Sequence, residues 1–488
     1  MEDKESIVKF KKNRILKERW KIGEQFTNGG NSSLFYVTDL NDEQESYVLK
    51  RFLPNQNSKE KYERFVLEIK IGTRQDLIDD LYVIPILDSS IDEETYENSF
   101  FIMPVCGNYS EIIRDSIFIK CKGIIHLFEI LEHLHSMRIA HRDIKPENIL
   151  KYKPKSSSFT IEEDYYFGDF GLVIQNEQHN LTSIGERIGS RNTIAPEMLS
   201  DPISANPYKA DVYSLAKTIW GLLIGDVNCF PGVYSRDSSV SWDKHDDRFA
   251  EFSQDYLYKD RNLTYGPLHE MMELCTQNDP SLRPDVTWMK EKFYEWLSIN
   301  NDFMAFSSYV WKESIHKLFP YGIPQRCKWT EIDDIVKTMR TITRYRNSNE
   351  VLLPRGNTTI ESVEKEGDYL VFFASRIKYI FPINSLELYY VNDDYFWLIL
   401  SSNSISTLFL EHTDDSKFEE LLELDDGTII PYNDESSFKY RICRYYSGEL
   451  ILVNKLFFSR RKKLEDFFRL NNASIVYNEV KRVVSSRS

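Results

Sequence analysis

Eight residues, HRDIKPEN from His141 to Asn148, set an aspartate, a lysine and an asparagine close together. Each suits a different part of one reaction. Asp143 can accept the proton of an attacking hydroxyl, Lys145 can sit against a γ-phosphate, and Asn148 can offer a neutral oxygen to Mg²⁺. Phosphoryl transfer from ATP asks a protein mainly for positioning and for cations around the charged γ-phosphoryl oxygens. Taken alone, the stretch would be a charged surface turn whose Asp and Asn serve turn chemistry. GDFGL argues otherwise, because 21 residues after Asn148 it supplies Asp169, a carboxylate suited to bridging a hard cation and phosphate oxygens.

These motifs, in this order, resemble the protein kinases. The resemblance covers about residues 20–299 and implies Asp143 and Lys145 as catalytic residues, with Asn148 and Asp169 as Mg²⁺ ligands. It makes IAPEM (Ala195, Pro196, Glu197) and Arg283 of SLRPD the two ends of a structural ion pair, and Asp211 of DVYSL the brace beneath the catalytic loop. Lys50 of YVLKRF stands where the family has V-A-I-K and would pair the α- and β-phosphates. Its partner would be Glu68, because the helical pattern puts Phe65 and Ile69 on one apolar side, with Glu63 as the alternative. The phosphate-covering pattern G-x-G-x-x-G-x-V falls on TNGGNSSL. Thr27 and Ser32 replace its first and third glycines, Gly29 and Gly30 leave room for backbone amides to approach phosphate, and Leu34 ends it. Met103 matches the gatekeeper behind the adenine, and Pro104 to Cys106 match the hinge, Cys106 as a spacer presenting its amide.

Lys145 within the loop is the serine/threonine-kinase pattern, and Ser190 keeps the hydroxyl that such enzymes place near the catalytic aspartate. Arg142 would be neutralised from the activation segment. Four residues before Ser190 lies Glu186, whose single charge would order the segment only in part, and Thr182 and Ser183 are the nearest hydroxyls for autophosphorylation. Against this stands Glu186 and Arg187 as a solvated pair without a role. Asp143 is expected to face the solvent of the cleft.

Residues 20–105 alternate short β-type runs (LFYVTDL, SYVLKRF, VIPILDSS, SFFIMPV) with one helical segment, KEKYERFVLEIKIGTRQ. Residues 106–299 are mainly helical, as in IIHLFEILEHLHSM and DVYSLAKTIWGLLIG. The fold class is α+β: a bilobal protein-kinase fold with a small β-rich N-lobe and a large helical C-lobe. A 1–19 extension precedes it and a separate α+β domain follows over 300–488, with hairpin signals at VNDDYF and YYSGEL and helical patches at EIDDIVKTMRTITRY and KKLEDFFRL. KYKPKSSSFTIEEDYY would lengthen a hairpin before DFG.

In 488 residues, 41% hydrophobic content supports real cores, and a net charge of −15 argues against nucleic acid or an anionic membrane as main partner. Six scattered cysteines without metal-ligand spacing, and an N-terminus without an apolar core, fit the cytoplasm. YLVFFASRIKYIFPI, broken by Arg376 and Lys378, reads as strands. The implied reaction uses ATP and Mg²⁺ on serines and threonines of proteins, itself included, with a homodimer for phosphorylation in trans. Nine alanines against 29 tyrosines suggest an AT-rich genome, and the layout resembles bacterial stand-alone kinases, some of which act in abortive infection against phage. The competing readings are a pseudokinase scaffold, kept open by the altered glycine loop but disfavoured by the presence of Lys50, Asp143, Asn148 and Asp169, and a small-molecule phosphotransferase, which would lack the APE segment and its arginine partner.

Overall fold

Every second residue of Ser32–Asp39 is buried, as in a strand with one face on a core. It belongs to a six-stranded antiparallel sheet in the computed structural model. That model describes residues 10–454 apart from 29–31, 55–57, 155–162, 176–191, 246–247, 250–263, 302, 346–347, 354–355, 375–376, 394, 403–406, 413–419, 424–428, 433–439 and 446–447. The chain divides into two units, Met1–Leu297 and Ser298–Ser488.

In the first unit the sheet order is Ile15–Leu16, Trp20–Asn28, Ser32–Asp39, Asp42–Phe52, Phe100–Pro104 and Asp88–Ser90. The expected 1–19 extension therefore contributes a strand of its own. Leu16 is buried with Trp20, and Phe10 packs on the same cluster. On the other face Phe52 and Phe101 meet Phe65 and Ile69 of the helix Ser58–Gly72. Because residues three and four apart share a helix face, this packing carries Glu68 to the sheet as well. Of VIPILDSS only Asp88–Ser90 is strand.

The helical lobe is organised by two long helices. Ile117–Ser136 starts at Ser116, whose side chain accepts the Ile119 amide, and buries Ile124, Leu127, Phe128 and Leu131. Pro207–Ile224 is capped by Asn206, is buried from Ala210 onward, and ends at Gly225 with φ 84°, a left-handed position that favours glycine. Between them the antiparallel pair Ile149–Tyr152 and Asp164–Phe167 sets Ile149 opposite Phe167, and so brings the two chemical motifs side by side.

The second unit is α+β. The helices Phe303–Leu318 and Ile332–Ile342 accompany a six-stranded sheet ordered Arg326–Trp329, Ser385–Asn392, Tyr395–Ser402, Gly448–Asn454, Asn349–Leu353 and Gly356–Thr358. A five-stranded sheet runs Ser362–Glu366, Tyr369–Ala374, Ile377–Phe381, Tyr440–Tyr445 and Thr407–His412. VNDDYF does join paired strands. YYSGEL does not: the strand before it pairs with Ile377–Phe381 and Thr407–His412, the strand after it with Tyr395–Ser402 and Asn349–Leu353. KKLEDFFRL lies outside the described residues. Among the described residues no helix is long and apolar enough to cross a membrane.

Candidate active site

Strand pairing positions the first cation. Lys50 lies opposite Leu34 on one side and Phe101 on the other. Its ammonium donates to both carboxylate oxygens of Glu68, at 2.9 and 2.7 Å; Glu63 takes no part in this pair. Burial works against the Lys50 charge, but Glu68 and Asp169 outweigh it and raise its pKa above the ordinary lysine value.

The catalytic-loop motif is shaped by Asp211. Its carboxylate, 1% exposed, accepts the amides of His141 and Arg142 at 2.7 Å each, and lies 3.0 Å from His135 Nε2. That grip holds Arg142 in the left-handed region at φ 67°, a conformation that costs a non-glycine residue on the order of 1–3 kcal/mol. His141 ties the two motifs together. The Asp143 amide can only donate to Nδ1 (3.3 Å), so Nε2 carries the proton and donates to the Gly168 carbonyl at 3.2 Å. Burial lowers the His141 pKa, in keeping with this neutral ring.

Asp143 departs from expectation: it is 6% exposed rather than solvent-facing. Its Oδ2 accepts from Lys145 Nζ at 2.7 Å and from Asn148 Nδ2 at 2.8 Å, while its Oδ1 is buried without a hydrogen-bond partner. Burial pushes this carboxyl above its ordinary value, against the pull of Lys145. Asp169, by contrast, is open to solvent and sits at φ 57°. Lys50 holds its carboxyl below the ordinary range, outweighing partial desolvation by the cleft walls, with help from Lys145. At Gly168 a Cβ would come 2.7 Å from Leu150 Cδ1, so a larger residue there would have to push the Leu150 side chain aside.

Lys50, Glu68, Asn148 and Asp169 line one cleft of about 450 Å³. Leu34, Met103, Pro104 and Cys106 line it too, and burial pushes the Cys106 thiol up to about 12, which leaves it an unreactive neutral group. Thr27 continues its strand opposite Leu34. Gly29 and Gly30, and Thr182, Ser183, Glu186, Arg187 and Ser190 of the activation segment, lie outside the described residues. Arg142 is 7% exposed; burial and neighbouring Arg64 lower its pKa, with Asp211 opposing.

Sequence reasoning missed much of the apolar wall: Phe26, Val48, Ile84, Ile86, Leu150 and Phe167 also line the cleft. A signal existed for two of them, since Val48 precedes Lys50 by two positions and Leu150 follows Asn148 by two.

Arg283 grips Glu197 through its two terminal guanidinium nitrogens at 2.6 and 2.8 Å, and is itself 1% exposed. A model of the family described as "Protein kinase domain" matches residues 20–295. The chain belongs to the protein kinase family. Within it, the chain is 28% identical to the probable serine/threonine-protein kinase ireA of Dictyostelium discoideum over 38% of its own length and 17% of that protein. It is 34% identical to the probable serine/threonine-protein kinase FMP48 of Saccharomyces cerevisiae over 28% and 37%. With the serine/threonine-protein kinase PknE of Mycobacterium tuberculosis it shares 33% identity over 20% and 15%. The chain thus spans well under half the length of these relatives, and they support the serine/threonine branch of the family.

Proposed function

We propose that the chain is an active serine/threonine protein kinase, which transfers the γ-phosphate of ATP to hydroxyls of proteins, including its own Thr182 or Ser183. The observation that carries this reading is the convergence of the Lys50–Glu68 pair, Asn148 and Asp169 on one cleft, with Asp143 hydrogen-bonded to Asn148.

ATP with Mg²⁺ fits the residues present. An apolar wall that includes Val48, Met103 and Leu150 suits a base. The cleft brings together one carboxylate, Asp169, and one carboxamide, Asn148, a donor set that suits Mg²⁺, an ion bound through one or two carboxylates plus substrate phosphates. Asp169 and the Asn148 carboxamide oxygen would hold it, and it would neutralise charge on the phosphate oxygens. Lys50 would orient the α- and β-phosphates. The Asp143 carboxylate, oriented through Oδ2 by Lys145 and Asn148, would accept the proton of the incoming hydroxyl. Lys145, beside that proton acceptor, supplies positive charge where the γ-phosphoryl group would pass.

The test is phosphate transfer to the chain itself and to a generic protein substrate, with Asp143→Asn as comparison. The variant should lose on the order of 10²–10⁴ in rate while its melting temperature stays close to that of the wild type. Near-wild-type turnover would remove Asp143 from the mechanism, and wild-type chain that binds ATP without transferring phosphate would be a scaffold. The composition and the likeness to bacterial stand-alone kinases support a cytoplasmic role in abortive infection. In that role, Asp143→Asn should restore plaque formation by a restricted phage.

A further inference from the structure

The second unit carries a concave basic surface for which the kinase reading has no use. On the helix Ile332–Ile342, Ile335, Met339 and Ile342 face the core, while Lys337, Arg340 and Thr341 share the outer side and Arg344 follows just past the helix end. Lys317, from the end of helix Phe303–Leu318, and Lys365, from the strand Ser362–Glu366, complete a cleft of about 620 Å³. Five cations therefore face one carboxylate, Asp333, in a chain whose net charge is −15. Basic residues at a helix C-terminus also soften its dipole, but that leaves Lys317 and Lys365, which come from other elements, unexplained.

Internal pairing neutralises only part of this charge. Asp333 takes Lys365 at 2.7 Å and Glu313 takes Lys317 at 3.0 Å. Arg340 uses Nε on the Val363 carbonyl at 2.8 Å, and among the described residues no carboxylate pairs with Lys337, Arg340 or Arg344. No aromatic side chain lines the cleft. Single-stranded nucleic acid binders stack bases on such rings, so the walls suit phosphate alone.

We propose that this cleft binds a phosphorylated serine or threonine on a protein segment. A phosphomonoester carries about −1.5 to −2 charge and three acceptor oxygens, which the guanidiniums of Arg340 and Arg344 and the Lys337 ammonium can engage together. The choice of a phosphoprotein over other phosphate carriers rests on the kinase reading: the first unit would make the ligand, and the covalent link between units raises its effective concentration.

The test titrates the full chain, without ATP, with degenerate fluorescent peptides carrying phosphoserine or phosphothreonine, and with the same peptides unphosphorylated. The phosphorylated pool should bind at least about tenfold more tightly, and Lys337→Glu with Arg344→Glu should remove that preference. The milder pair Lys337→Gln with Arg344→Gln should weaken binding in the same direction and serves if charge reversal disturbs folding. Equal binding of the two pools, or undiminished binding by both variants, overturns the proposal. Tighter binding of a short single-stranded RNA, or of vesicles containing a phosphoinositide, overturns it in favour of those partners. Because the peptides are phosphorylated beforehand, a chain that fails to transfer phosphate can still pass this test, and an active kinase can fail it.

Discussion

Burial of the Lys50–Glu68 pair decides how substitutions at the two positions should combine. Burial drives the Glu68 carboxyl up to about 7, with Lys50 pulling the other way. Once Lys50 is gone, Glu68 takes a proton and has nothing left to hold. Lys50→Ala and Glu68→Ala should therefore each lower kcat/KM for ATP at least about tenfold, and the double variant should be no worse than the poorer single. Additive losses in a steady-state kinetic cycle would show the two acting separately. A second buried ammonium offers a pH test. Lys217, 1% exposed, donates to the Gly232 carbonyl at 2.9 Å and to the Tyr213 hydroxyl at 3.2 Å, yet burial lowers its pKa to about 8. The unfolded chain holds that proton up to about pH 10. The cost of burying the charge is thus fully present below about pH 8 and is relieved as pH rises from there towards 10. Relative to Lys217→Met, the wild type should gain roughly 3 kcal/mol of stability over that window, measurable by urea unfolding at pH 7, 9 and 10.

Between elements, the Glu197–Arg283 pair ties the short helix Pro196–Ser200 to the segment before Val286–Asn301. Arg283 also donates to the carbonyls of Gln277 and Lys209, so its position survives in Glu197→Ala while its charge loses its partner. That variant should lose about 3–5 kcal/mol, and Glu197→Leu with Arg283→Met should recover much of it in thermal unfolding. An unchanged midpoint in Glu197→Ala would mean the pair is solvated and weak. How far such features could be read in advance depended on their chemistry. The Asp143, Asp169, Glu197 and Arg283 motifs were legible because short polar stretches with fixed spacing are rare outside their function. Phe26 and Phe167 were not, since an apolar residue in a strand looks the same whether it faces a core or a cleft. YYSGEL shows a related limit: alternation and turn residues specify two strands, but not which neighbours those strands choose. The burial of Asp143 follows from the contacts of Lys145, Asn148 and His141 around it, which no single stretch displays.

At the scale of the molecule, every residue of the ATP cleft lies within Met1–Leu297. A chain ended after Asn301, which keeps the helix Val286–Asn301 whole, should still phosphorylate a generic substrate at a rate within about threefold of the full chain. Insoluble or inactive protein would instead make the second unit a structural requirement of the first, and a marked rise in activity would make it an inhibitor. The second unit also has its own clock. Ile377–Phe381 pairs in parallel with Tyr440–Tyr445, setting Ile377 against Ile442 across 65 positions of sequence. No hairpin can close that pair. At about 5–20 residues per second of synthesis, the later strand leaves the ribosome roughly 3–13 s after the earlier one. For that interval one edge of Ile377–Phe381 stands as an open template for a foreign strand. Nascent chains stalled inside this interval should therefore be the ones most strongly held by chaperones.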